Sequence, residues 1–158
     1  PETVAARLVD GLGFRYYWAT EGLTDKDLAF KPSADGRTIY ETLEHINGLT
    51  GVLLNTVNKK PNKGSADTTK LSFAALREKT LQNIQQASEI LKQPGTKLEE
   101  LDMIFERGNN KQEYPFWNLI NGPVSDALWH VGQVVTLRRS SGNPLPKGVN
   151  VLKGTKTD

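Results

Sequence analysis

The residues best suited to chemistry lie in the stretch "GPVSDALWHVGQVVTLRR", where Asp126 and His130 stand four positions apart in an otherwise apolar run. On a helix turning about 100° per residue, this spacing lets both side chains address one ion. Leu119, Asp126, His130, Gln133 and Leu137 share a stripe about 60° wide. Trp129 and Val134 flank it, and Leu128, Val131 and Val135 make the opposite side apolar too. Such a helix is expected to be central, or covered by a partner subunit. A carboxylate inside it needs a cation: an imidazolium, an arginine or a metal.

His45 is the other histidine of the chain, in line with Leu49 and Val52 on the shoulder of an apolar helix face. If it meets Asp126 and His130, two imidazoles and one carboxylate can hold a divalent ion and leave positions free for water. That ion would lower the pKa of its water toward about 7 or polarise a substrate oxygen. There is no cysteine, so the donors are N and O alone. Zn, Ni, Fe(II), Mn and Co all suit them, and the affinity order favours Zn or Ni over Mn. The competing reading is an Asp-His hydrogen bond in a packed core or at its rim, with His45 a satisfied structural residue.

Glu44, beside His45, is the candidate general base, because Glu41 is expected to cap a helix. Gln133 could orient a ligand. Arg138 and Arg139 could hold a substrate carboxylate or complement the negative end of their own helix. Tyr16, Tyr17 and Trp18 could wall a pocket, although core packing is the preferred reading.

Those side chains need helices to hold them. Val4, Leu8 and Leu12 suggest a first helix from Thr3 to Glu21, with Gly22 after its end. Thr24 and Asp27 fit a capping box on a short turn, which Pro32 stops. Thr38 and Glu41 open a second long helix running to about Asn58. A polar connection covers residues 59–70, and Ser72 caps a third helix that ends at "QPG". Thr96 and Glu99 could cap one further turn, and "FERGNNKQEY" reads as a small hairpin. The last helix spans Phe116 to about Ser141, kinked or restarted at Gly122 and Pro123. "NPLPKGVNVLKGTKTD" is expected to be an irregular, basic tail. The fold class predicted is all-α: a four-helix bundle with short extra helical turns and that hairpin, in one domain over 1–158.

With 158 residues the chain can bury one core without staples. Its 20 Lys and Arg against 18 Asp and Glu give no field for nucleic acid, so no nucleic-acid partner is expected. Lys59, Lys60, Lys63 and Lys70 read as a solvated loop, lacking interleaved aromatics. No apolar run nears the ~20 residues of a membrane span, so no membrane partner is expected either. The chain starts at Pro1, and an initiator Met, a signal peptide or other residues are expected to have preceded it. The compartment is left unknown: cytoplasmic by default, periplasmic if a signal peptide was removed.

Two stretches resemble the DinB/YfiT-like superfamily, named for a DNA-damage-inducible protein. "WATEGLTDKDLAFKPSADGRTIYETLEHI" is similar to the region that leads to that family's first metal-binding histidine, here His45. "HVGQVVTLRRSSGNP" resembles its last-helix signature and makes His130 the last ligand. The family's pattern has a histidine four residues before the last one, where this chain has Asp126. The site is then either His-Asp-His, the favoured reading, or that of a bundle that has lost its metal. The resemblance implies a four-helix bundle, often a homodimer, with one metal per subunit, among relatives that include thiol-dependent S-transferases and isomerases. Joined to the metal site, it gives the favoured reading of a hydrolase or thiol-dependent transferase acting on a small-molecule substrate. The alternative is a non-catalytic dimer that binds small apolar ligands through Trp117 and Trp129.

Overall fold

A computed structural model describes residues 1–64 and 69–158. The centre of the polar connection expected over 59–70 lies outside the described residues. Four long helices carry the core: α1 (Glu2–Thr20), α3 (Ile39–Val57), α4 (Phe73–Leu91) and α6 (Ser125–Ser140). Helix α1 packs on α4 and α6, and α3 packs on the same two, so α1 and α3 face each other diagonally. Their apolar positions recur at three- and four-residue steps. Leu12, Ile39, Leu43, Ile46, Leu53, Leu91 and Val134 meet in the interior, each nearly or wholly buried.

Helix starts follow the capping chemistry. Thr24 and Asp27 cap the one-turn helix α2 (Asp25–Leu28) reciprocally, Thr38 and Glu41 do so for α3, and Ser72 accepts from the Ala75 N–H on α4. Thr96 departs from expectation. Its hydroxyl turns back to the Ile90 carbonyl, and the 3-10 turn Leu98–Glu100 has no side-chain cap.

The fold is mostly helical, yet sheet is present, so the strict all-α expectation does not hold. Strand β2 (Met103–Arg107) pairs antiparallel with β3 (Asn110–Tyr114) as the expected hairpin, Gly108 supplying the positive φ of its turn. Strand β1 (Asn62–Lys63) adds in parallel along β2. The tail is less irregular than expected. Val149–Asn150 (β4) and Thr155–Lys156 (β5) form a second small hairpin, with Gly148 and Gly154 at positive φ beside the strands. Of the basic run, Lys59 pairs with Glu100, Lys63 with Glu106, and Lys70 sits over the Tyr40 ring.

Pro123 shapes the entry to α6. Lacking an N–H and crowding the preceding turn, it forces the chain from the one-turn helix α5 (Phe116–Leu119) into a wide π turn, Ile120–Val124. The Ser125 N–H and hydroxyl both donate to the Ile120 carbonyl across this turn.

The other end of α6 is tied to α1. Arg138 is 1% exposed and donates five hydrogen bonds, to the carbonyls of Trp18, Ala19, Glu21 and Asn143 and to the Asn143 side chain. It thereby satisfies the orphan carbonyls that end α1. Asp27, 2% exposed, accepts from Thr24, Ser141 and Asn143 beside it. Burial alone would raise the Asp27 pKa, but the bonds from Ser141, Asn143 and Thr24 hold it well below the usual carboxylate range. Burial also lowers the guanidinium pKa of Arg138, against the attraction of Asp27 and Glu21. Arg138 is thus no substrate clamp. It serves a helix C-terminus, that of α1.

Candidate metal centre

Helix α6 is not apolar all round in its packing. Its buried residues are Ala127, Val131, Val134 and Arg138, while Trp129 is 72% exposed. The core stripe runs one position beyond Asp126 and His130, which places the polar pair on the rim between α6 and α3. There the desolvation that a core carboxylate would suffer is mostly avoided.

His45 reaches the pair from α3. Its Nε2 lies 3.0 Å from Asp126 Oδ2, and the two imidazole rings stack edge to face at 4.4 Å. His130 Nδ1 is 2.8 Å from the Asp126 backbone carbonyl and 3.1 Å from Asp126 Oδ1. A carbonyl can only accept, so Nδ1 carries the proton and Nε2 keeps a lone pair for a ligand bond. This carbonyl contact is the kind of second interaction that fixes a metal-binding histidine's orientation.

The donors fit a divalent ion. One ligand atom from each of His45, Asp126 and His130 lies within 4.8 Å of the others. Around a tetrahedral ion with bonds of about 2.0–2.1 Å the ligand atoms stand about 3.3 Å apart, a contraction within reach of small rotamer changes. Among the described residues the ionic partners of Asp126 are the two histidines, with no lysine or arginine to neutralise it. The His-Asp-His group can therefore hold a metal ion through two nitrogens and an oxygen.

Glu44 is not brought into the group. Its neighbour His45 points about 100° away around the helix, and Glu44 instead acts on the Tyr40 hydroxyl, whose pKa burial and this carboxylate raise. Gln133 is exposed and shares with His130 a groove of about 560 Å³. Trp129, Leu137, Pro32 and Arg37 also line it. Sequence reasoning missed Arg37. It sits one residue before the α3 cap, and the single signal was a cation on the loop leading to the helix that bears His45.

The aromatic trio divides. Tyr16 is core, Tyr17 lies under the Arg77 guanidinium, and Trp18 is half-buried beside a second groove between α1 and α6. Arg139, exposed, borders that second groove. No helix among the described residues is long and apolar enough to cross a membrane. Compared with known proteins, the chain matches no family model, no curated protein and no solved structure.

Proposed function

We propose that the chain is a metal-dependent enzyme of the DinB/YfiT-like kind, a four-helix bundle whose His45, Asp126 and His130 hold one divalent transition metal. Zn or Ni is the first choice, with Fe or Mn as further fits. The observation that carries this reading is the convergence of both histidines of the chain on Asp126, from helices 81 residues apart in sequence. Side chains from facing helices are how bundles build metal sites.

When bound, the ion would supply a Lewis acid and a water or thiol of lowered pKa, the chemistry of hydrolysis or thiol transfer. Asp126 supplies the negative charge, and its backbone carbonyl anchors the His130 ring through Nδ1. Trp129 and Leu137 give the adjoining groove an apolar wall, and Arg37 gives it a positive rim for a small-molecule substrate. A homodimer accords with two exposed tryptophans, Trp117 at 60% and Trp129 at 72%.

A second reading has a specific observation behind it. The groove beside His130 has no carboxylate in its lining, so no general base stands ready there. On that reading the metal or the Asp-His contact only ties α3 to α6, and the protein is a dimer that binds small ligands. The test is a panel of esters, amides and thiol-acceptor pairs offered to metal-loaded protein. Turnover abolished by a chelator and by His45→Ala supports the enzyme. Bound metal without turnover, together with a lower melting temperature in His45→Ala, supports the tie.

A further inference from the structure

The geometry points to a second binding site, separate from the metal centre, for a small organic anion with an apolar body: an alkyl or aryl carboxylate held in the groove between α1 and α6. This groove encloses about 670 Å³. Its floor is aliphatic, made by Leu8, Val131 and Val135, with Leu145 and Val149 from the tail and Trp18 at one side. Three arginines line it, Arg7 and Arg15 from α1 and Arg139 from α6, and no aspartate or glutamate is in its lining.

Those cations make no ion pair among the described residues, although Arg7 acts at longer range on Asp10. Arg15 donates to the Gly11 and Val151 carbonyls, which leaves its charge unneutralised. Asp10, one turn from Arg7, is committed to Lys92 and Ser88 on α4. Among the described residues no ion pair involves Arg7, Arg15 or Arg139. Like charges lining an apolar floor without a paired carboxylate repel one another, and a bound carboxylate relieves that repulsion while its chain covers the floor. Guanidinium is suited to this task, because its planar fork matches carboxylate geometry. The carboxylate role expected for the Arg138 and Arg139 pair thus passes to Arg139 alone, and to a groove on the far side of α6 from His130. This inference stands whether or not the metal centre is catalytic.

The test is an amide chemical-shift titration with octanoate and, in parallel, octan-1-ol, which has the same chain without the charge. Octanoate should shift the amides around Leu8, Val131 and Leu145 and bind roughly tenfold or more tighter than the alcohol, as charge-assisted hydrogen bonds imply. The double variant Arg7→Gln, Arg139→Gln changes two exposed side chains and should fold normally. It should remove the preference for the acid and leave metal content unchanged. Equal affinity for acid and alcohol, or a preference that survives the double variant, would overturn the site. So would a dimer in sedimentation that seals this groove and excludes octanoate, because the occupant would then be a second copy of the chain.

Discussion

Helix α6 carries a polar cluster at each end, and the two are built in opposite ways. At its C-terminal end Arg138 and Asp27 are almost wholly buried, and five donated hydrogen bonds and several accepted ones satisfy them. At its N-terminal end Asp126 keeps 41% of its side chain exposed, and its ionic partners are two imidazoles. A buried network is tolerated only when every member is paired, so the first cluster is a lock between α1, α2 and α6. An accessible group with unspent lone pairs can be left for a ligand, so the second is where an ion can act. Burial and satisfaction together, more than residue type, separate structure from function here.

The largest expected effect belongs to the lock. Arg138→Met should cost about 3–5 kcal/mol in urea unfolding, because it orphans the carbonyls at the end of α1 and leaves Asp27 without its counter-charge. Asp126→Ala, measured on metal-free protein, should cost no more than about 1 kcal/mol, the usual range for exposed ionic contacts. Equal costs for the two would erase the distinction between the clusters.

Asp27→Asn should come next, at about 1.5–3 kcal/mol at neutral pH, from hydrogen bonds lost by a charged acceptor. Its folded pKa is depressed, so its contribution is fully present above the ordinary carboxylate value of about 3.9. That contribution disappears as pH falls through the lower folded pKa. Urea midpoints taken at decreasing pH should therefore show wild type and Asp27→Asn converging in acid. A constant gap would mean that Asp27 is not held ionised by this network.

The smallest effect tests the same rule from the other side. Among the described residues the Tyr16 hydroxyl is buried with no well-formed hydrogen bond, and burial pushes its pKa up to about 12 although the Thr80 side chain and the Arg77 charge nearby oppose the rise. Removing an unsatisfied group should cost nothing. Tyr16→Phe is expected to be neutral or to raise stability by up to about 1 kcal/mol in the same unfolding assay. A loss beyond about 1 kcal/mol would show that the hydroxyl is paired after all.

Much of this was legible in the sequence because it is local. Thr38 with Glu41, Thr24 with Asp27, and Ser72 declare their helix starts through contacts three residues long, and Gly108 declares a turn. Asp126 and His130 were legible as a pair for the same reason. What the sequence withheld depends on how helices rotate against one another. The apolar residues of α6 on both flanks suggested a fully buried helix, whereas Leu128 and Val135 only half-cover the α1/α6 groove. Arg138 could not be told from Arg139 by type, because the carbonyls it serves lie about 120 positions earlier in the chain. Glu44 stands outside the His-Asp-His group for the same rotational reason, one residue and about 100° from His45.

His45, Asp126 and His130 are proposed to form a metal centre. Its most direct test is elemental analysis of protein purified without a metal-affinity tag, beside Asp126→Ala and His130→Ala. About one equivalent of a divalent transition metal in the parent chain, lost in both variants while their folding is retained, is the expected result. No metal as isolated, and none retained after incubation with Zn, Ni, Mn or Fe(II), would contradict it and leave Asp126 as a hydrogen-bonded tie between α3 and α6.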